Sequence, residues 1–250
     1  MKILADTLIT ILLFSSPSPS TAVLPTQDSS PLIVFEQTSE EKKLEEKKQA
    51  EKDKLTFLAS FDYEISSYST KYSVSKQNYN RNHNMELACN AINNLILYPG
   101  DTFSYNDVIQ SKRTSQNDYL PAPILSGGQT STGIGGGICQ VSSTLFNTAL
   151  YSNMTITNRR NHSAMVGYLP AGRDATVSWG TIDLCFKNDL DIPVMIDANM
   201  ANGIIDIKIL SQSDPNLGEI SVTTSYSNGA YFLNRYVNGT LNYSTKSVYR

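Results

Sequence analysis

The 250-residue sequence contains few cysteines and histidines and no long apolar run. Three cysteines are too few for a disulfide scaffold. No apolar stretch reaches the ~20 residues of a membrane-spanning helix, so a multi-span membrane protein is excluded. The formal net charge of −3 gives no general attraction to nucleic acid or to an anionic bilayer, and we predict no nucleic-acid partner.

The spacing of these scarce residues also argues against a metal centre. No pair of cysteines or histidines has the CxxC or HxxxH spacing of common metal sites. The one glycine-rich segment lacks the lysine of a Walker phosphate loop. We therefore predict neither a metal nor an organic cofactor.

The first 54 residues differ in composition from the rest. Residues 1–22 combine one lysine, a mostly apolar segment and small residues near a possible cleavage position, which is typical of an export signal. An uncleaved membrane anchor is the alternative, and it would be the only membrane contact. Residues 23–54 are first rich in Pro and Ser and then in Glu and Lys without an apolar stripe, which predicts a linker and a charged spacer helix. On either interpretation the bulk of the chain is extracytoplasmic, either secreted or associated with the cell surface and wall.

Beyond residue 54 the pattern predicts an α+β fold. Apolar periodicity predicts helices over Glu86–Leu97 and Cys139–Tyr151. Strand-like runs separated by turn residues follow at Ala164–Leu169, Ala175–Trp179, Ile182–Phe186, Pro193–Ala198 and Gly203–Leu210. Helices followed by such runs indicate two helices packed on a mainly antiparallel sheet. Two Asn-Gly pairs predict that residues 211–250 form a small C-terminal β-hairpin extension.

The most distinctive local feature is a run of three glycines, Gly135–Gly137, just before Cys139. The cysteine is expected in the first turn of a helix, where free N–H groups and the helix dipole lower a thiol pKa. The same N–H groups, around Ile138–Gln140, could stabilise an oxyanion. This pattern predicts a nucleophile, although a small buried residue where a loop crosses a helix would fit it too. Four neighbours are predicted to contact substrate: Gly136, Gly137, Gln140 and Ser142.

A nucleophilic cysteine needs a base, and the sequence has only two histidines. His162 precedes a predicted strand and suits a Cys/His pair, although an ordinary polar loop residue would look the same. His83 is expected at the surface. The carboxylate that orients the imidazole is predicted to be Asp174, with Asp183 as the alternative.

Two arginines are candidates for substrate binding. Arg113 precedes a Tyr/Pro loop and Arg159 lies three residues before His162. A guanidinium can hold a carboxylate through two parallel hydrogen bonds. Surface ion pairing is the alternative for each.

Five separated motifs together resemble the VanW-like family of bacterial cell-surface proteins. They are Asn82–Ile92 followed by Leu97–Asn106, then Gly135–Asn147, Arg159–Ser163, Gly172–Thr176 and Asp183–Asn188. The resemblance covers roughly residues 61–210, and the VanW-like catalytic domain is predicted over residues 55–210.

The resemblance implies an activity. Some clostridial proteins with this domain are regarded as L,D-transpeptidases that use a cysteine to form 3-3 cross-links in peptidoglycan. It places the nucleophile at Cys139 and the base at His162, and Arg113, Arg159 and Asp174 match the family pattern. The implied partners are peptidoglycan stem peptides. The alternatives are an L,D-carboxypeptidase or a wall amidase with the same Cys/His pair, and a non-catalytic peptidoglycan-binding module.

Overall fold

The computed structural model of the chain describes residues 39–113 and 118–250. The predicted export signal or anchor at residues 1–22 lies outside the described residues. The chain divides into two compact units, residues 1–46 and Lys47–Arg250, and the second unit carries the fold described below.

The second unit is an α+β fold, as predicted. The helices are α1 (Ser39–Ala59, which begins in the first unit), α2 (Tyr79–Ile92), α3 (Tyr105–Ser111) and α4 (Ile138–Tyr151). The first strands are β1 (Tyr63–Lys71), β2 (Leu95–Leu97), β3 (Thr102–Ser104), β4 (Pro121–Ser126), β5 (Gln129–Ile134) and β6 (Thr155–Asn158). The later strands are β7 (Cys185–Lys187), β8 (Val194–Ala201), β9 (Ile204–Ser211), β10 (Ile220–Ser227), β11 (Ala230–Val237) and β12 (Thr240–Ser247).

The strands form four separate antiparallel groups. The largest sheet has the order β1-β9-β8-β2, and two three-stranded sheets have the orders β3-β7-β6 and β10-β11-β12. The fourth group is the β4–β5 hairpin. Antiparallel pairing throughout the described strands agrees with the sheet type expected from the sequence.

Helix α1 is a polar helix with no buried side chain. It contains the Glu- and Lys-rich segment in which a spacer helix was predicted. Such a composition gives the helix no apolar face to pack. No helix in the described part of the chain is both long enough and apolar enough to cross a bilayer.

Helix α4 is the centre of the core, and it begins one residue before the predicted start. Its large apolar residues, among them Leu145, Phe146 and Leu150, are completely buried. Burying such side chains contributes roughly 1.5–3 kcal/mol each. A helix buried on all sides is also forced to satisfy its polar side chains internally, and this requirement shapes the site described below.

The prediction of a helix over Glu86–Leu97 was wrong for the second half of this segment. Helix α2 ends at Ile92, because Asn93 is extended and Asn94 has a left-handed backbone with φ of 59°. Leu95–Leu97 then pairs with β8 as strand β2. The apolar residues of this segment are therefore buried by a sheet and not by a continued helix.

Two predicted strands are loops. Ala164–Leu169 and Ala175–Trp179 contain no strand, and only Ser178 forms an isolated bridge, to Ile182. Ala175, Val177 and Trp179 of the second segment pack with the core without joining a ladder. The hydrogen bonds of Ala175 go instead to helix α4, through Ser142 and Ser143.

The C-terminal extension is larger than a hairpin. Both Asn-Gly pairs form tight turns with positive φ, as Asn228 at 49° and Gly229 at 74° illustrate, and they join three strands. Leu233 of this sheet is completely buried, and Arg235 donates hydrogen bonds to the carbonyl oxygens of Leu150 and Met154. The extension thus covers the C-terminal end of α4.

Candidate active site

The glycine run determines where Cys139 lies. Gly137 has φ of 110°, a conformation that side chains oppose, and it caps the start of α4. A Cβ on Gly136 would lie 2.6 Å from the carbonyl oxygens of Ala122 and Pro123 in β4. Glycine therefore lets the chain pass against the β4–β5 hairpin and turn into the helix. Cys139, half-buried in the first helical turn, lines a groove of about 840 Å³.

The thiol of Cys139 has polar neighbours on several sides. The backbone N–H of Val177 donates to Sγ at 3.4 Å, and the hydroxyl of Thr176 lies 3.7 Å from Sγ. The imidazole of His162 is also in contact with the thiol. Burial alone would raise the pKa of Cys139, but hydrogen bonding and charge interaction with His162 outweigh it and lower that pKa. The geometry therefore favours a thiolate.

His162 is fixed by one carboxylate. Oδ2 of Asp174 accepts the backbone N–H of His162 at 2.6 Å and lies 2.7 Å from ring Nδ1. Burial lowers the pKa of His162, but Asp174 and Cys139 raise it more, to about 9. The lowered pKa of Cys139 and the raised pKa of His162 both favour the thiolate–imidazolium form of the pair.

Asp174 is itself held as an anion by its surroundings. Burial opposes its charge, but hydrogen bonds from His162 and from the Tyr249 hydroxyl, together with the Arg159 guanidinium, hold its pKa below the usual range. Arg159 lies 3.3 Å from Oδ1 and also donates to the carbonyl oxygen of Asp174 at 2.7 Å. Tyr249 comes from the C-terminal extension, so this segment contributes directly to the candidate site.

Polar side chains of helix α4 position the loop that carries Asp174. Ser142 donates to the carbonyl oxygen of Ala175 at 2.7 Å, and Ser143 accepts the N–H of Ala175 at 2.9 Å. One turn later, Asn147 donates to the carbonyl oxygen of Arg173 at 2.8 Å. Buried hydroxyl and amide groups thus hold the loop antiparallel to the helix and place Asp174 beside His162.

The structure brings together three of the four residues predicted to be catalytic: Cys139, His162 and Asp174. It does not bring Asp183 to them. Asp183 accepts from the Ser104 hydroxyl at 2.6 Å and from the backbone N–H of Asn106 at 2.9 Å, at the start of α3. The carboxylate is bound at that helix start, so Asp183, the alternative orienting group, does not contact His162 in this structure.

The residues predicted to bind substrate separate into two groups. Gly136, Gly137 and Gln140 line the groove, although the Gln140 side chain is buried and hydrogen-bonded. Ser142 is fully buried against Ala175, and the Arg159 side chain is only 2% exposed beside Asp174. Both side chains are internal, and neither is among the described residues that line the groove.

Two other residues considered in the sequence analysis, Arg113 and His83, make their contacts away from the Cys139 thiol. The Arg113 guanidinium stacks 5.4 Å from the centre of the Trp179 ring, and Trp179 lines the groove. His83 is half-buried, and its Nε2 lies 3.0 Å from the carbonyl oxygen of Asp118.

Two of the three backbone N–H groups predicted to stabilise an oxyanion already donate hydrogen bonds within the chain. The N–H of Ile138 donates to Gly135 at 3.2 Å, and the N–H of Gln140 donates to Gly137 at 2.8 Å. The N–H of Cys139 itself remains as the candidate, since N–H groups of a first helical turn have no partner within the helix.

Only one of the three cysteines, all of which are free thiols, has a lowered pKa. Burial raises the pKa of Cys89 to about 12. Burial, followed by the neighbouring Asp183, raises the pKa of Cys185 to about 12. Reactivity is therefore expected at Cys139 alone.

Sequence reasoning missed Arg81, Tyr168 and Tyr249. Arg81 and Tyr168 line the groove, and Tyr168 hydrogen-bonds with Ser143 while burial raises its pKa far above the ordinary value. Tyr249 reaches Asp174 from 75 residues away. None of them lies in a motif with recognisable spacing, so no local signal identified them.

Comparison with known proteins places the chain in a family. Residues 80–210 match the family described as VanW like protein. The chain is 43% identical to the uncharacterized protein YoaR of Bacillus subtilis over 148 residues. This aligned stretch covers 59% of this chain and 48% of that protein. Over 145 residues it is 32% identical to the vancomycin B-type resistance protein VanW of Enterococcus faecalis, covering 54% of this chain and 51% of that protein.

The chain thus spans about half the length of these two relatives. No solved structure gives a significant match. The matched residues 80–210 contain Cys139, His162 and Asp174 and make up just over half of the chain. The chain belongs to the VanW-like family.

Proposed function

We propose that the chain is a peptidoglycan L,D-transpeptidase that forms 3-3 cross-links through a thioester on Cys139. The observation that carries this proposal is the contact between Cys139, whose pKa is lowered, and His162, whose pKa is raised, at the wall of an open groove. Such a pair is the machinery of acyl transfer through a covalent intermediate. The choice of peptidoglycan as substrate rests on the family resemblance.

In the first half-reaction the thiolate attacks the carbonyl carbon between the third and fourth residues of a stem peptide. A carbon–sulfur bond forms, and the carbonyl oxygen becomes an oxyanion beside the N–H of Cys139. His162 gives its proton to the leaving nitrogen. The carbon–nitrogen bond then breaks, and the terminal D-residue leaves as a free amine.

In the second half-reaction the side-chain amine of another stem peptide attacks the thioester. His162, now neutral, takes a proton from this amine. The carbon–sulfur bond breaks, and the thiolate returns with a new amide between the two stems. Asp174 keeps the imidazole in one orientation and stabilises its protonated form, as the carboxylate does in other nucleophilic triads.

The buried position of the His162–Asp174 pair supports this assignment. His162 is 6% exposed and Asp174 is 1% exposed, so bulk water does not screen their interaction. A surface histidine has no need of a buried carboxylate. Arg159 and Tyr249 donate hydrogen bonds to Oδ1, the other oxygen of Asp174. These bonds stabilise the negative charge of Asp174, which in turn stabilises the imidazolium.

The test is incubation of the purified protein with a disaccharide tetrapeptide, followed by mass spectrometry. The expected products are a cross-linked dimer, released D-alanine and, transiently, a thioester adduct on Cys139. Cys139→Ala should abolish all three. Cys185→Ala is the matched control, since it also removes a half-buried thiol and should leave turnover unchanged.

Other products would identify another activity. D-alanine without dimer would indicate a carboxypeptidase, in which water replaces the amine. Retained binding without turnover, in both wild type and Cys139→Ala, would indicate a binding module and contradict the proposal.

A further inference from the structure

The groove that contains Cys139 has an unusual balance of charge. Three arginines line it, Arg81, Arg160 and Arg250, and no Asp or Glu does so among the described residues. For a chain with formal net charge −3, this is a local concentration of positive charge. A cleft with charges of one sign attracts ligands of the other sign.

The guanidinium of Arg81 is held by contacts with two side chains. Its Nη2 donates to Oε1 of Gln140 at 2.8 Å, and its Nη1 lies 3.1 Å from the sulfur of Met85. Gln140 is in turn fixed, because its Nε2 donates to Thr70 at 3.1 Å and to the carbonyl oxygen of Lys71 at 2.9 Å. The guanidinium is therefore held in one position before any ligand arrives.

Arg81 has no carboxylate partner within residues 39–113 and 118–250. Burial lowers its pKa, and the groups that favour its charge are Tyr168 and the Cys139 thiol, neither of which is a carboxylate. A guanidinium has five N–H donors, and the contacts to Gln140 and Met85 use two. A half-buried cation with donors to spare is suited to an anionic ligand.

The position of Arg81 sets how far that anion lies from the nucleophile. A Cβ on Gly137, two residues before Cys139, would lie 2.9 Å from Cγ of Arg81. The Arg81 stem thus packs against the helix start that carries Cys139, and its guanidinium contacts Gln140, the next residue after Cys139. In a peptide cleaved before its last residue, the free carboxylate lies only two bonds beyond the scissile nitrogen, so one ligand can reach both groups.

We propose that Arg81, held by Gln140, binds the terminal carboxylate of the donor peptide whose preceding bond Cys139 attacks. The identity of this carboxylate rests on the proposed function, whereas the anion site can be tested without it. Arg160 and Arg250 add to the positive potential of the groove. A peptide whose terminal carboxylate is blocked as an amide loses this contact.

The first test compares two alkylating reagents that differ only in charge. Iodoacetate and iodoacetamide each form one carbon–sulfur bond with the thiolate and release iodide, so both report the same nucleophile. We expect the ratio of the iodoacetate rate to the iodoacetamide rate at Cys139 to exceed that of a small free thiol. Arg81→Met should lower this ratio about fivefold, the effect of one nearby cation in a partly aqueous site.

Two further variants make the test specific. Arg81→Lys keeps the charge and should give a ratio above that of Arg81→Met. Lys112→Met removes one exposed positive charge outside the groove lining and should leave the ratio unchanged. The iodoacetamide rate serves as an internal check of the thiol, because any change in its pKa affects both reagents alike. A wild-type ratio equal to that of Arg81→Met would overturn the anion site.

The second test uses tetrapeptide donors with a terminal acid or a terminal amide. For wild type we expect a lower KM for the acid, and for Arg81→Met we expect equal KM values. Equal KM values in wild type would overturn the assignment of the terminal carboxylate. If neither donor is turned over while the alkylation ratio responds to Arg81, the anion site stands and the proposed transpeptidase fails.

Discussion

Oδ2 of Asp174 accepts the backbone N–H of His162 at 2.6 Å and lies 2.7 Å from Nδ1 of the same residue. The ring therefore cannot rotate without breaking a buried charged contact, and its other nitrogen, Nε2, remains for Cys139. Since the negative charge of Asp174 raises the pKa of His162, it also indirectly favours the thiolate.

We predict that Asp174→Asn weakens the thiolate. Loss of the negative charge should lower the pKa of His162, and a less protonated imidazole should raise the pKa of Cys139. The pH profile of Cys139 alkylation by iodoacetamide, followed by mass spectrometry, should then shift to higher pH. Asp183→Asn is the control, because Asp183 contacts the start of α3 and should leave the profile in place. An unshifted profile in Asp174→Asn would contradict the assigned role.

The two histidines give a second comparison. We predict that His162→Ala reduces turnover by roughly 10²–10⁴, the usual contribution of a general acid–base group. His83→Ala should have turnover within about twofold of wild type, because the ring contacts Asp118 and Tyr79 and does not reach the thiol. Steady-state rates of both variants test this prediction. A loss of less than tenfold in His162→Ala would show that His162 is not the general acid–base group.

The pH dependence of turnover follows from the same pair. The pKa of His162 is raised to about 9, so the proton needed by the leaving nitrogen is present below that pH and is lost above it. The pKa of Cys139 is lowered, so the thiolate persists below the ordinary thiol range and is lost on further acidification. We expect a bell-shaped profile with its alkaline limb near pH 9. Turnover that keeps rising beyond this limb would contradict the assignment of His162 as the acid.

The parts of the site that local sequence predicts are those built by adjacent residues. Three consecutive glycines before an amphipathic pattern were enough to place Cys139 in the first turn of α4, because glycine conformation and helix periodicity are local properties. The scarcity of histidine narrowed the base to His162. Asp174 was preferred because it precedes the predicted strand Ala175–Trp179; that segment is a loop, yet the carboxylate does contact His162.

The parts that were missed depend on partners far apart in sequence. Ala164–Leu169 and Ala175–Trp179 have strand-like composition, yet the second is bound by hydroxyl groups on α4 and not by another strand. Tyr249 and Arg81 reach the site from distant parts of the sequence. Their side chains carry no signal in their own neighbourhood, because only tertiary packing gives them a role.

The C-terminal extension is expected to be part of the folding unit. Leu233→Ala should reduce the free energy of unfolding by about 2–5 kcal/mol, because the side chain is fully buried against the core. Leu241→Ala in the neighbouring strand is the control, since its side chain is 52% exposed and its loss should change stability by no more than about 0.5 kcal/mol. Urea denaturation measures both. Equal effects would mean that the extension folds independently of α4.

Gly136 should be intolerant of any side chain even though it makes no chemical contribution. A Cβ there would lie 2.6 Å from two carbonyl oxygens of β4, so the β4–β5 hairpin that forms one wall of the groove would have to move. We expect Gly136→Ala to cost about 1–3 kcal/mol of stability, the range for overpacked positions. It should also change the iodoacetamide rate at Cys139, because the helix start shifts with the wall. Gly167→Ala is the matched control, since Gly167 lines the same groove but a Cβ there meets nothing within 4 Å. If both variants behave like wild type, the close approach at Gly136 does not hold Cys139 in place, and the glycine run would matter only for the turn at Gly137.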